Sequence, residues 1–505
     1  MIQRSPFALA AVFVVCGSSL HAQKARGAPD LRALDAYVEQ AVRDWRVPGL
    51  AIAVVKGDSV VLAKGYGVLE LGKPERVTEH TRFAIGSTTK AMTAAAIGML
   101  VDEGKLRFDD RVIDIFPEFR LYDPYATREL TVRDLLTHRS GLPGTDLLWV
   151  YGEMPFSEMM RRLRYVRPAS SFRSQWTYQN VMYALAGEIV AKVSGMSWAE
   201  FTRARLFAPL GMGESVPLVS EVRGLPNVAT PHDIIRDTAR PVPMRSTDGI
   251  ASAGSVYSSV SDMAKWMRFM LDSARVGGKR LLQPATFSEL VTPQIRAGAS
   301  TYPALTLSKP HGFSYGLGWF VQDYQGEVVW MHTGSINGMV ALVGLLPDRR
   351  AGVFVLANLD HAELRHALMY KVFDLYAGNP PRDWSAELKD FFARRSASAR
   401  PATRPANAAA PSLPLVSYTG TYVDSTYGTI EITAAGTGLR ARFGTHNLGV
   451  LEPWEHESFR AVGPPPALGR TAVTFMPDGS GGVTAVRVFG VTFQRTPTGR
   501  TPPRG

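Results

Sequence analysis

Residues 83–104 constrain the chain more than any other stretch. Ala91, Ala94, Ala95 and Ala96 favour helix, Met92, Ala95, Met99 and Leu100 lie towards one face, and Gly104 supplies a C-terminal stop. Gly86-Ser87 falls at the start of this helix. Positions three apart are neighbours on a helix, so the Lys90 amine is set to fold back onto the Ser87 hydroxyl. A serine hydroxyl becomes a good nucleophile only when something takes its proton, and lysine can do so only as the neutral amine. Burial in a dry cleft and the positive end of the helix both disfavour the ammonium form. The same helix end offers unpaired backbone N–H groups to an oxyanion. Ser-x-x-Lys is nevertheless short enough to arise by chance in 505 residues, so its weight depends on partners elsewhere.

The rest of the chain has a clear order. Asp30 is the expected N-cap of an amphipathic helix bearing Leu34, Val38 and Val42, and two apolar β-branched runs, 50–56 and 59–63, flank Gly57-Asp58 as a hairpin. A helical, loop-rich region follows, with capping boxes at Thr131/Asp134 and Ser197/Glu200 and a helix opened by Ser261-Asp262. Strand-like runs at 318–323, 327–331, 339–346 and 352–358 are expected to complete the sheet begun at residue 50. A last helix is expected over 361–376. An Ala, Pro and Arg stretch reads as a linker, and short alternating strands from residue 415 onward suggest a small antiparallel barrel or sandwich. The fold class is therefore α/β in the α+β sense: an antiparallel sheet flanked by helices with an inserted helical region, then an all-β domain. The expected limits are a signal peptide at 1–22, a catalytic domain at 28–385, a linker at 386–413 and the β-domain at 414–496.

At 45% hydrophobic and 20% charged, the composition supports a large core and more than one domain. Arg4, the apolar run 7–15 and small residues up to Ala22 look like a secretory signal cleaved after Ala22. The apolar run is about half of the roughly 20 residues that span a bilayer, so no stable membrane span is expected after cleavage. Val15 stands where a small residue precedes a lipidated cysteine, which gives lipidation of Cys16 a minor place. Cys16 is the only cysteine, so the mature chain has no disulfide and no thiol site. The expected location is periplasmic or secreted. A formal charge of +11 invites a nucleic-acid reading, but the export signal and the lack of any binding module exclude it. Solvated basic faces or attraction to anionic cell-envelope material account for the charge instead.

Two further polar clusters accompany Ser87-x-x-Lys90: Tyr178-x-Asn180 at a helix entrance, and His332-Thr333-Gly334 at the end of a strand. Together with Phe83-Ala84-Ile85-Gly86-Ser87-Thr88-Thr89-Lys90, Leu135-Leu136-Thr137-His138-Arg139-Ser140-Gly141-Leu142 and Tyr315-Gly316-Leu317-Gly318-Trp319, they give the chain a family likeness. It resembles the class C β-lactamases and their relatives, the penicillin-recognising serine hydrolases that include D-aminopeptidases and carboxylesterases. The resemblance implies Ser87 as acyl-accepting nucleophile, Lys90 as its base partner and Tyr178 as general acid/base. It also implies an oxyanion hole from the backbone N–H groups of Ser87 and Ser335, with Asn180, His332, Thr333 and Gly334 binding substrate. Asn180 has a competing structural role as N-cap.

The resemblance implies a small-molecule or peptide substrate and no metal or organic cofactor. Esters, amides, D-amino-acid peptides and β-lactams all remain compatible. The alternative is a penicillin-binding or sensor protein that acylates without turnover. His332 stands where classical β-lactamases carry lysine, and an unperturbed histidine pKa of roughly 6.5 leads to the expectation that carboxylate recognition weakens from pH 6 to 8. The trailing β-domain resembles a lipocalin-like domain of unknown function through Tyr418-x-Gly420-x-Tyr422 and Tyr427-Gly428.

Two rival constellations are set aside. Gly312-Phe313-Ser314-Tyr315-Gly316 fits Gly-x-Ser-x-Gly but lacks the strand before and helix after that a nucleophile elbow needs. In His361-x-Glu363-x-x-His366 the histidines are five apart, so they diverge on a helix, and the expected reading is a solvated helix face.

Overall fold

The computed structural model describes residues 29–150, 154–235, 237–298, 301–398, 404, 407–462 and 472–496; the expected signal segment lies outside them. The Asp30 carboxylate accepts from the N–H groups of Arg32 and Ala33, each at 3.0 Å, and so starts helix α1 (Leu31–Asp44). Strands β1 (Gly49–Lys56) and β2 (Ser59–Gly67) form the expected hairpin around Gly57-Asp58. Six later strands join them: β3 (Ile295–Arg296), β4 (Phe313–Tyr315), β5 (Phe320–Tyr324), β6 (Glu327–Ile336), β7 (Met339–Leu346) and β8 (Ala351–Ala357). The order is β2-β1-β8-β7-β6-β5-β4-β3, antiparallel throughout, with Ile52 opposite Val355 where the two ends of the domain meet.

Side chains alternate across a strand, and β1 distributes its apolar residues accordingly. Ala51, Ala53 and Val55 enter one core with the helical region, whereas Leu50, Ile52 and Val54 enter a second core with α1. Both faces are covered, which is why every residue of β7 and β8 is buried and the runs read as continuously apolar. Helix α2 (Thr89–Asp102) corrects the expectation of a one-sided stripe, since Thr89 to Leu100 are all buried. A helix apolar all round belongs at the centre of its domain. It packs on helix α3 (Asn180–Ser194) and on the short helix Pro284–Val291. Gly98 admits Thr286 and Leu282, whose methyl carbons stand 3.0 and 3.1 Å from where a Cβ would sit.

Both expected capping boxes are present. Helix α4 (Val260–Leu271) starts earlier than expected, because Ser259 rather than Ser261 caps it by accepting from the Asp262 N–H. The helix expected at 361–376 is α5 (Leu364–Ala377). A further helix, α6 (Trp384–Ser398), occupies the first part of the stretch assigned to the linker. Alanine, arginine, lysine and glutamate are strong helix formers, so that composition suits a helix as well as a spacer. Trp384 anchors α6 by stacking on Tyr370 at 4.7 Å and donating to Asp374 at 2.6 Å.

Beyond the linker, eight strands pair in sequence and close into a barrel: β9 (Gly420–Asp424), β10 (Gly428–Ala435), β11 (Gly438–Phe443), β12 (His446–Glu455), β13 (Ser458–Val462), β14 (Ala472–Pro477), β15 (Val483–Val488) and β16 (Val491–Arg495). Pairing of Tyr422 with Arg495 joins the first strand to the last. Tyr418, Tyr422, Phe459, Phe475 and Phe493 fill its interior. Among the described residues no helix is long and apolar enough to cross a membrane.

Candidate active site

Gly86–Thr88 forms a single 3-10 turn ahead of α2, and Ser87 is half-buried at its tip. Two glycines let this turn lie against β6. A Cβ on Gly86, whose φ is 51°, would stand 2.8 Å from the Ser335 nitrogen, and one on Gly334 would stand 2.0 Å from the Ile85 carbonyl oxygen. Strand β5 pairs with β6 only as far as Met331, so one edge of the segment from His332 onward is free of the sheet. That free edge is the one that abuts Ser87.

Lys90 is completely buried, and its Nζ has three neighbours: Ser87 Oγ at 3.1 Å, Asn180 Oδ1 at 2.7 Å and the Ala253 carbonyl oxygen at 2.8 Å. Burial drives its pKa well below that of an ordinary lysine, opposed in part by the charge of Asp146. Asn180 is not the N-cap of α3. Gln179 takes that place with an extended backbone, and its side chain instead bonds Thr145 and the carbonyl of Leu142. Asn180 is freed to bridge Lys90 and Asp146, donating from Nδ2 to Asp146 Oδ1 at 3.0 Å.

Tyr178 lies with its ring 4.7 Å from Lys90 Nζ. Its hydroxyl is buried without a hydrogen-bond partner, and burial raises its pKa well above the usual phenol value, offset by nearby Ser87. His138 fixes this tyrosine from both sides. Its carbonyl accepts from the Thr177 N–H at 2.8 Å, its Nδ1 accepts from the Gln179 N–H at 3.0 Å, and its ring packs on Tyr178 at 4.3 Å.

His332 is buried, and both ring nitrogens are engaged. The Thr333 carbonyl, which can only accept, lies 2.6 Å from Nδ1, so the proton is on Nδ1 and Nε2 accepts from the Tyr315 hydroxyl at 3.0 Å. Burial first, and the Lys90 charge second, bring its pKa down to about 3. This corrects the expectation of a histidine that titrates between pH 6 and 8. Thr333 donates to the Tyr302 hydroxyl at 2.8 Å.

The Gly334 carbonyl accepts from Arg365 Nη1 at 2.6 Å, and Ser335 Oγ accepts from the same nitrogen at 3.0 Å. Arg365, nearly fully buried, lies 3.3 Å from Glu363 Oε1, while His366 Nδ1 lies 2.7 Å from Glu363 Oε2. The solvated-face reading of this segment is therefore corrected: only His361 is exposed, beside Asp360, while Glu363 pairs with His366 and Arg365, and Arg365 reaches the strand that carries Ser335. Ser314 sits within β4 between Val321 of β5 and Arg296 of β3, a mid-strand position rather than the tip of a strand-to-helix turn.

The structure thus brings Ser87, Lys90, Tyr178 and Asn180 together around one amine and lays Gly334 and Ser335 along the turn bearing Ser87. It adds Asp146, His138 and Arg365, which sequence reasoning did not single out as site residues.

Residues 34–376 match the family model described as Beta-lactamase, and residues 404–500 match one described as a domain of unknown function, DUF3471. The chain is 28% identical over 432 residues to Unguisins hydrolase ungD of Aspergillus violaceofuscus, an alignment covering 78% of this chain and 75% of that protein. It is 30% identical over 324 residues to penicillin-binding protein 4 of Amycolatopsis lactamdurans, covering 62% of this chain and 82% of that one. Among solved structures it is similar to the octameric penicillin-binding protein homologue from Pyrococcus abyssi, with a TM-score of 0.63 and 23% identity over 92% of this chain and 99% of that chain, a likeness of fold. With the matched segment spanning the sheet, α2 and every residue around Lys90, the chain belongs to the β-lactamase family of serine hydrolases.

Proposed function

We propose that the protein is an exported serine acyl-hydrolase in which Ser87 forms an acyl-enzyme, Lys90 is the base and Tyr178 the general acid/base. The three neighbours of Lys90 Nζ carry this reading. Asn180 Oδ1 and the Ala253 carbonyl can only accept, so they take the two N–H bonds of a neutral amine. The third position on Nζ faces the Ser87 hydroxyl, and it carries a lone pair once burial, which depresses the lysine's pKa, has discharged the amine. Asn180 cannot present its NH₂ to Lys90 instead, because that group is needed by the Asp146 carboxylate.

In acylation, Ser87 Oγ bonds to the substrate carbonyl carbon as its proton passes to Lys90 Nζ. The N–H groups of Ser87 and Ser335 hold the oxyanion. Collapse breaks the bond to the leaving group, which takes the proton of the Tyr178 hydroxyl, and Lys90 returns its extra proton to Tyr178. Burial favours the neutral phenol, so Tyr178 starts as a donor, and its unpartnered hydroxyl is available to a leaving group. Water then attacks the acyl-enzyme, gives a proton to the Lys90–Tyr178 pair, and Ser87 leaves with a proton restored.

The substrates favoured are esters, amides or D-amino-acid peptides rather than β-lactams whose carboxylate needs a cation. His332 is held neutral, and Arg365 is committed to the Gly334 carbonyl and Ser335. Similarity to a protein named as a hydrolase supports turnover. Similarity to a penicillin-binding protein supports the second reading, acylation without deacylation. A panel of an activated short-chain ester, a D-aminoacyl anilide and a chromogenic cephalosporin separates them. Steady turnover of the ester or anilide above that of the cephalosporin is expected; a single stoichiometric burst with all three contradicts hydrolysis.

A further inference from the structure

The C-terminal barrel is not merely appended to the catalytic domain. Its Thr426 carbonyl accepts from Arg162 Nη1 at 3.2 Å, and Gly428, at a φ of 93°, leaves that guanidinium 3.3 Å from where a Cβ would sit. A side chain at position 428 would crowd this latch. Tyr427, between them, belongs to two cores at once: it packs on the barrel interior and on the catalytic domain's main core. Along this seam lies a cavity of about 350 Å³. Leu147, Leu148 and Met154 line it from the catalytic domain, and Tyr427 and Phe443 from the barrel. The volume is in the range of small-molecule pockets, which are mostly apolar with few polar groups.

The charged groups on the cavity wall face each other. Glu158 and Arg162 are the ionic pair on its wall, joined at 2.5 Å, and Arg161 Nε donates to the other oxygen of Glu158 at 2.6 Å. The cavity therefore offers no unpaired charge from that pair to a ligand. Its position relative to the chemistry is fixed by consecutive contacts. Leu147 follows Asp146, which accepts from Asn180, which accepts from Lys90, which meets Ser87. Asp146 is also close enough to Tyr427 to contribute to raising the phenol's pKa, behind burial and Asp424.

We propose that this seam is a substrate subsite, built jointly by the barrel and the 146–148 turn, that receives an uncharged apolar acyl chain or side chain of the molecule attacked by Ser87. The inference rests on Ser87 being the nucleophile, and it gives the barrel a function: Tyr427 and Phe443 form one wall of the substrate cleft. The cleft then selects by length and apolarity at a distance from the scissile bond, while the charge-poor surroundings of His332 set what lies next to it.

The test compares p-nitrophenyl octanoate with p-nitrophenyl acetate on the full chain, because only the longer acyl group can extend away from Ser87. The kcat/KM ratio of octanoate to acetate is expected to exceed one. It should fall about tenfold in Tyr427→Ala, which removes the barrel wall, and in Leu147→Trp, which fills the space from the opposite side, since apolar pocket contacts are worth about 10 to 200-fold. Circular dichroism melts identify any variant that fails to fold, and the two substitutions sit on different domains, so one remains informative. An unchanged ratio in folded variants, or a wild-type ratio at or below one, overturns the subsite while leaving acetate hydrolysis and the role of Ser87 intact. If neither ester is turned over nor gives a stoichiometric burst of p-nitrophenol, the nucleophile reading and the subsite fall together.

Discussion

Arg365 donates to the carbonyl oxygen of Gly334 at 2.6 Å, and that carbonyl shares a peptide unit with the N–H of Ser335. In a trans peptide the C=O and N–H point in opposite directions, so a guanidinium behind the strand aims the N–H at the cleft in front. A charge-assisted bond to the oxygen also polarises the N–H as a donor. Arg365 therefore acts through Ser335 as a positioning residue. Arg365→Ala is expected to lower kcat more than it raises KM, by about tenfold or more, because removing an oxyanion donor outright costs about 10² to 10³ in kcat. It should also destabilise the fold by about 1 to 3 kcal/mol, since the buried Gly334 carbonyl loses its guanidinium donor, while Glu363 keeps His366 at 2.7 Å. Steady-state kinetics with a neutral ester and a thermal melt check both parts. A KM effect alone contradicts the role.

Asp146 tunes the base from the far side of Asn180. Its charge opposes the depression of the Lys90 pKa caused by burial. Hydrolysis needs the neutral amine, so kcat/KM rises with pH through the Lys90 pKa and levels off above it. Asp146→Asn keeps an oxygen for Asn180 but removes the charge, so the Lys90 pKa falls further and the rising limb moves to lower pH. A pH–rate profile of the variant against the wild type reads this shift. Movement of the limb to higher pH contradicts the arrangement.

His332 governs stability rather than substrate charge. Its folded pKa of about 3 lies below the unfolded value of about 6.5, so the unfolded chain binds the proton first. The stability it contributes is complete above about pH 6.5 and is lost as pH falls towards 3. Buried His138 and His366 are depressed in the same direction and share the effect. His332→Gln should flatten part of the decline in melting temperature between pH 7 and 4. Substrate affinity should show no histidine-like step between pH 6 and 8 that depends on His332. Such a step, removed by the substitution, would return the residue to charge recognition.

A chain ending at Ser398 keeps α6, whose Trp384 is sealed against Tyr370 and Asp374, and loses a barrel with its own interior. It is expected to unfold cooperatively by calorimetry. A chain ending at residue 383 should lose several degrees of melting temperature, as Trp384 fills a buried site. Equal melting of the two would show that α6 adds nothing to the core.

How much of this was legible in sequence followed the distance over which each contact acts. Ser87 and Lys90 lie one helical turn apart, so their pairing is a local property of α2. The β1-β2 hairpin and both capping boxes are local in the same way. Asp146 and Asn180 are 34 residues apart and Asn180 and Lys90 are 90 apart, and nothing in the loop around Asp146 marks it as a support for the base. Arg365 holds an unmarked place between Glu363 and His366, and its partner is a strand 31 residues earlier. Full burial of α2 escaped notice because a run of small residues suits either one covered face or all of them. Strand β12 is hard to read in sequence because Gly449 and Pro453 interrupt its alternation, and the pairing accommodates them with register shifts.

The central claim is that Ser87, activated by Lys90, is the group that becomes acylated. Labelling with a serine-directed fluorophosphonate, located by peptide mass spectrometry, tests it directly. The label is expected on Ser87 in the wild type, absent in Ser87→Ala, strongly slowed in Lys90→Ala, and retained in Ser314→Ala. A label that persists in folded Ser87→Ala and vanishes in Ser314→Ala would contradict the account.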